Sequence, residues 1–80
     1  MFENGKVYKI EIVGHTFLNR VERGSMYKIY VDGDQVRFLK PRGKKVLFRH
    51  KLKDANYSLY NNCVIKQVET IEQWREWARQ

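Results

Sequence analysis

The chain has 80 residues, of which 42% are hydrophobic and 31% are charged, and its 16 Lys and Arg against 9 Asp and Glu give a formal net charge of +7. This composition excludes a disordered chain, and the length suits one compact domain over residues 1–80. The single cysteine, Cys63, excludes an internal disulfide and a cysteine-based zinc site.

No segment of the sequence predicts a membrane span. No apolar run approaches the roughly 18 residues that a transmembrane helix needs. The first residues, Met-Phe-Glu-Asn-Gly, lack the basic start and the apolar core of a signal peptide. We therefore expect a cytoplasmic protein that does not contact a membrane.

The chain is predicted to be mostly β. Val, Ile, Phe, Tyr and Trp supply 24 residues and Ala only two, a balance that favours strands. Apolar and polar residues alternate over residues 6–13, 26–31 and 35–40, and residues 46–50 and 62–68 are two further candidate strands. Residues 14–25 have no clean period, which predicts a long loop between the first two strands.

The first hairpin is predicted around Asp32-Gly33 as a two-residue type I′ turn. This register pairs Ile29 with Val36 and Tyr27 with Phe38. It also places Lys28 opposite Arg37, and like charges in that position repel.

The second hairpin is predicted around residues 41–43, with Gly43 in the left-handed conformation. It pairs Phe38 with Val46 and Val36 with Phe48. Together the two hairpins predict an apolar face of Tyr27, Ile29, Val36, Phe38, Val46 and Phe48. The opposite face is predicted to carry Lys28, Tyr30, Gln35, Arg37, Leu47 and Arg49.

The end of the chain predicts a helix at about residues 71–79. Thr70 and Gln73 have the spacing of a capping box, and Ile71, Trp74 and Ala78 share one helical face. Such a short helix is stable only when its apolar face is buried against the rest of the protein. The predicted fold is a small antiparallel sheet or partly open SH3-like or OB-like barrel of about five strands, with this short C-terminal α-helix.

The sequence offers little for catalysis, and we expect a protein that is not an enzyme and has no cofactor or metal. His15 and His50 are far apart, and no phosphate loop, metalloprotease pair or calcium loop is present. The predicted register places His50 opposite Asp34. We interpret this pair as a structural contact, in which the carboxylate is a hydrogen-bond partner of the histidine, and not as a catalytic dyad. Asp32-Gly33-Asp34 is interpreted as a turn, and Cys63 as a packed, unreactive thiol.

The basic residues are concentrated in one segment. Residues 40–53 contain seven Lys and Arg and no acidic residue, whereas the rest of the chain has nine of each sign. Basic groups with an interleaved aromatic ring are typical of surfaces that bind nucleic-acid backbones. We therefore predict non-enzymatic binding of DNA or RNA through Lys28, Tyr30, Arg37, Lys40, Arg42, Lys44, Lys45, Arg49 and Lys51.

Two alternatives remain open. Lysines also protect exposed strand edges from pairing with other chains, which would explain Lys51 and Lys53. A small protein-interaction module of a viral or regulatory inhibitor type would instead dock the basic strip on an acidic protein, with aromatic anchors. Tyr57, Tyr60 and Trp77 gathered into one patch would favour that protein partner. Either a monomer or an edge-paired dimer fits the sequence.

Overall fold

A computed structural model describes residues 1–80 as five strands and two helices. Their bounds are β1 Lys6–Ile12, β2 Met26–Asp32, β3 Gln35–Leu39, β4 Val46–Lys51, α1 Leu52–Leu59, β5 Cys63–Thr70 and α2 Ile71–Ala78. The strands form one open antiparallel sheet in the order β4-β3-β2-β1-β5. The predicted small antiparallel sheet of about five strands with a C-terminal helix is confirmed.

The main core lies on one face of this sheet. Ile10, Ile29 and Phe38 are fully buried there, as the alternation of apolar residues predicts. Helix α1 covers this face with Ala55 and Leu59. The loop between β1 and β2 adds Leu18 and Val21, and it has no regular structure, as predicted.

Helix α2 packs on the opposite face of the sheet. The predicted capping box is present, because the Gln73 backbone N–H donates to Thr70 Oγ1 at 3.1 Å and the Thr70 N–H donates to Gln73 Oε1 at 2.8 Å. Ile71 and Trp74 then pack against a second cluster of Val7, Tyr30 and Leu39. Neither helix has the length and apolar composition to cross a membrane.

The turn of the first hairpin lies one residue later in the chain than predicted. Asp32 pairs with Gln35, so the turn is Gly33-Asp34 and Ile29 pairs with Phe38 instead of Val36. Gly33 has φ +68° and Asp34 has no positive φ, as in a type II′ turn. The Gly33 N–H also donates to Asn4 Oδ1 at 2.7 Å, a contact from a distant segment that favours this turn.

The second hairpin also has a different register. Phe38 pairs with Phe48 and Leu39 with Val46, so Leu47 is an extra residue in a bulge. The bulge exchanges the faces of the sheet that were predicted for Val46 and Leu47. Leu47 packs against the main core, while Val46 pairs with Leu39, which lies on the α2 side. Gly43 does not have the predicted positive φ; a Cβ there would lie 3.2 Å from the Lys40 Cβ, which is a reason for glycine.

Helix α1 was not predicted from the sequence. Its N-cap, Lys51, supplies no capping side chain, and Tyr57 on its surface is exposed, so the usual helix signals are weak. The available signals were an acidic residue in the first turn, Asp54, and the spacing of Leu52, Ala55 and Leu59, which places these three side chains on the side of the helix that packs against the sheet.

Candidate nucleic-acid interface

Six of the predicted site residues form an exposed basic strip along the β3–β4 turn and strand β4. They are Lys40, Arg42, Lys44, Lys45, Arg49 and Lys51. The ion pairs of the protein are Lys6–Glu3, Arg37–Asp32 and Lys66–Glu11, so no carboxylate neutralises any member of the strip. The strip therefore presents its full positive charge to solvent.

Lys44 joins the basic strip to the end of helix α2. Its Nζ donates to the Gln80 carbonyl oxygen at 3.2 Å and lies 5.7 Å from the centre of the Trp77 ring. A cation at this position also interacts favourably with the negative end of the helix dipole. The β3–β4 turn and the end of α2 consequently form one continuous surface.

Lys28 is not on the solvent-facing surface that the sequence predicted. The residue is only 7% exposed, because α2 covers this face of the sheet and places the Trp77 ring 4.0 Å from Lys28 Nζ. Nζ makes no hydrogen bond or ion pair. Burial lowers the pKa of Lys28 below its usual 10.5; the charge of Glu69 raises this pKa and that of Lys9 lowers it.

Tyr30 and Arg37 are also less accessible than predicted. The Tyr30 ring is 5% exposed and packs edge-on against Trp74 at 5.2 Å, so it has no free face on which a base could stack. The half-buried Arg37 lies over Tyr30 at 4.9 Å and pairs with Asp32 at 3.0 Å. Both side chains are therefore engaged in contacts within the fold.

Two like-charge pairs lie opposite in the sheet, Lys9 with Lys28 and Arg37 with Arg49, and neither is the predicted pair of Lys28 and Arg37. Lys28 faces Lys9 across β1 and β2, while Arg37 faces Tyr30 on one side and Arg49 on the other. The sequence could not place Lys9, because the long irregular loop between β1 and β2 leaves their register undetermined.

A cleft of about 310 Å³ opens between this lysine pair, the β3–β4 turn and the end of α2. Its walls include Lys9, Lys28, Arg42, Gln67, Glu69 and Trp77. Three cations and one carboxylate therefore face the same space. Gln67, Glu69 and Trp77 were not among the predicted site residues, because only the pairing of β5 with β1 and the docking of α2 bring them here.

The three aromatic residues that would favour a protein partner do not form one patch. Tyr57 and Tyr60 are 79% and 67% exposed at and just after α1, on the main-core side of the sheet. Trp77 lies across the sheet, beside Lys28 and Lys44. Its position adds an aromatic ring to the basic surface instead.

The histidines and the cysteine do not form a catalytic group. His50 pairs with Val36 and its Nε2 bonds to the Asn19 carbonyl oxygen at 2.9 Å, so the predicted contact with Asp34 is wrong. His15 is exposed. Cys63 packs at the border of the main core, and burial raises its pKa to about 11, which disfavours the reactive thiolate.

Comparisons with protein-family models, curated proteins and solved structures gave no match. The proposed function therefore rests on the surface chemistry of this chain. Its most distinctive surface is the basic strip together with the adjoining cleft.

Proposed function

We propose that the protein is a non-enzymatic nucleic-acid-binding module that contacts the phosphate backbone through its basic strip. One observation carries the proposal: six exposed Lys and Arg side chains lie along one turn and one strand without a single ion pair. When such cations neutralise the phosphates of a nucleic acid, the counterions condensed on that nucleic acid are released. This release supplies most of the affinity of sequence-independent binding.

Protection of a sheet edge accounts for only part of the strip. Strand β4 is an edge strand, and Arg49 and Lys51 suit that protective role. Lys40, Arg42, Lys44 and Lys45 lie in the β3–β4 connection, outside any strand, where there is no edge to protect. Their charge is better explained by an anionic partner.

The aromatic component of the interface is Trp77, in place of the predicted Tyr30. Its half-buried ring borders the strip through Lys44 and could contact a base or sugar. The exposed residues of the strip suit contacts with phosphates and do not form a recognisable motif for reading bases. Binding is therefore expected to depend weakly on the nucleotide sequence. An acidic protein is the alternative partner, although Trp77 lies apart from Tyr57 and Tyr60, so these three residues do not form the patch expected to favour it.

Fluorescence anisotropy with labelled single- and double-stranded DNA and RNA oligonucleotides tests the proposal. The wild-type protein should bind at least one class, and an Arg42→Glu/Lys45→Glu variant should bind it much more weakly. Absence of binding to all four classes at low salt would refute the proposal. Capture of one acidic protein from nuclease-treated lysate, with no oligonucleotide binding, would support the alternative.

A further inference from the structure

We propose that the cleft beside Lys28 binds a phosphomonoester, the terminal phosphate of a nucleotide or of a nucleic-acid strand. This inference extends the proposed function to a second, more enclosed site. It rests on the lysine pair in the centre of the sheet, on the charge balance of the cleft and on the size of the cleft.

No ion pair within the protein neutralises the lysine pair. Lys9 and Lys28 lie directly opposite each other on β1 and β2, which are inner strands of the sheet, so edge protection does not apply. Like charges in this arrangement destabilise a sheet. Neither ammonium is in an ion pair. The nearly buried Lys28 lies against the Trp77 ring, and the charge of Glu69 offsets only part of the cost of its burial. A bound anion would relieve this repulsion.

The charges around the cleft match a phosphomonoester better than a backbone phosphate. Lys9, Lys28 and Arg42 supply three positive charges and Glu69 one negative charge, which leaves two positive charges unbalanced. A phosphomonoester carries about −1.5 to −2 at neutral pH and has three strong acceptor oxygens. A phosphodiester within a strand carries only one negative charge. Gln67 adds an uncharged polar group on the same wall.

The size of the cleft favours a small group or the end of a strand. Its volume of about 310 Å³ lies at the lower end of the range in which proteins hold small ligands. Lys28 lines this cleft, is only 7% exposed, and has its Nζ 4.0 Å from the centre of the Trp77 ring. A terminal phosphate can enter such a space, whereas an internal phosphate would need both neighbouring nucleotides to leave through the same opening.

The test compares oligonucleotides of one sequence that carry a 5′-phosphate, a 3′-phosphate or only hydroxyl ends. For the wild-type protein, one of the terminal phosphates should strengthen binding about fivefold to tenfold, as charge-assisted hydrogen bonds in a partly desolvated site would. Lys28→Met should reduce this gain to less than twofold. If Lys28→Met folds poorly, Lys9→Gln provides the same test at a more exposed position of the cleft. Lys53→Met on α1 removes a lysine elsewhere and should keep the full gain.

A parallel titration with adenosine monophosphate separates this inference from the proposed function. In amide NMR spectra, the nucleotide should shift the signals of Lys9, Lys28 and Gln67, and adenosine should not. Equal binding of phosphorylated and hydroxyl-ended strands, or a phosphate gain that survives both cleft variants, would overturn the cleft site while leaving backbone binding intact. Cleft shifts with adenosine monophosphate, without any binding of hydroxyl-ended strands, would support the cleft and refute the proposed function.

Discussion

Lys9 on β1 and Lys28 on β2 face each other directly across the inner strands of the sheet, and neither is in an ion pair. Helix α2 covers Lys28 and brings the Trp77 ring to 4.0 Å from its Nζ. The fold thus retains a repulsive pair, with Lys28 beneath a helix, beside a cleft that opens towards the basic strip. This arrangement links the stability of the protein to the anion that we propose it binds.

Replacing Lys28 by Met should stabilise the unliganded protein. The change removes the repulsion with Lys9 and the cost of burying a charge, and methionine retains a contact with Trp77. It also removes the attraction to Glu69, but the pKa of Lys28 is lowered overall, so the unfavourable terms are the larger ones. We expect the free energy of unfolding to rise by about 0.5 to 1 kcal/mol at neutral pH. Urea denaturation of both proteins measures the difference. A clear loss of stability in Lys28→Met would contradict the view that Lys28 destabilises the unliganded fold.

The same pair of proteins makes a pH-dependent prediction. Because the pKa of Lys28 is lowered in the fold, the unfolded chain holds this proton more tightly between that pKa and 10.5. The contribution of Lys28 to stability therefore rises with pH through this interval. The advantage of Lys28→Met should shrink as the pH approaches 10.5, whereas a constant difference would show that burial of the charge is not its cause. The charged groups that line the cleft with Lys28, namely Lys9, Arg42 and Glu69, and Lys44 beside Trp77 are the same in both proteins.

Charge reversal in the β3–β4 turn should abolish most oligonucleotide binding. Arg42→Glu/Lys45→Glu removes two phosphate contacts and adds two repulsive charges, so we expect at least a tenfold loss of affinity at low salt. Arg23→Glu/Lys53→Glu is the matched control, because both residues are exposed and the net charge changes equally. Equal losses in the two double variants would mean that only the overall charge matters and that the strip is not the interface.

Loss of the cap of α2 should destabilise the fold by about 1 kcal/mol. Thr70→Ala removes the acceptor for the Gln73 N–H, while Thr70→Ser keeps an oxygen in place and should remain close to wild type. Thermal unfolding of the three proteins measures the effect. If the alanine and serine variants are equally stable, the capping box does not contribute to the docking of the helix.

Cys63 should react slowly with alkylating reagents in the folded protein. Burial raises its pKa from 9.0 to about 11, so the thiolate fraction at pH 8 is about a hundredfold lower than that of an unperturbed thiol. The iodoacetamide rate should keep increasing up to about pH 11, and denaturant should restore an ordinary rate. A plateau near pH 9 in the folded protein would contradict the assigned burial.

The same raised pKa also affects stability. The folded protein retains the Cys63 proton between pH 9.0 and about 11, so the stabilising contribution of this group is complete below pH 9.0 and is lost as the pH rises to about 11. This trend is opposite to that of Lys28. Comparison of wild type with Cys63→Ser, which removes the titrating thiol, should isolate the cysteine contribution.

The sequence predicts the strands and their two faces well because alternation is a local property. Ile29 and Phe38 are buried together as expected, even though their partners moved by two residues in each hairpin. A shift of two residues preserves the face of every side chain, so face assignment survives an error in register. The bulge at Leu47 is the exception, because one extra residue exchanges the faces of its neighbours.

The contents of the candidate site were harder to predict, since they depend on contacts between distant segments. The charged segment containing Arg42 and Lys44 is evident from composition and is exposed as a strip. The burial of Tyr30, by contrast, depends on which face of the sheet α2 covers. The pairing of Lys9 with Lys28 depends on the register between β1 and β2, which a long loop connects. Neither is specified by local sequence pattern.

The salt dependence of oligonucleotide affinity tests backbone binding by the strip most directly. If four to six of the exposed cations contact phosphates of a duplex, the plot of log K against log salt concentration should have a slope of roughly −3.5 to −5.5. Arg42→Glu/Lys45→Glu should reduce the steepness by about 2, while Arg23→Glu/Lys53→Glu should leave it unchanged. A slope near zero, or the same slope for wild type and the turn variant, would contradict the account.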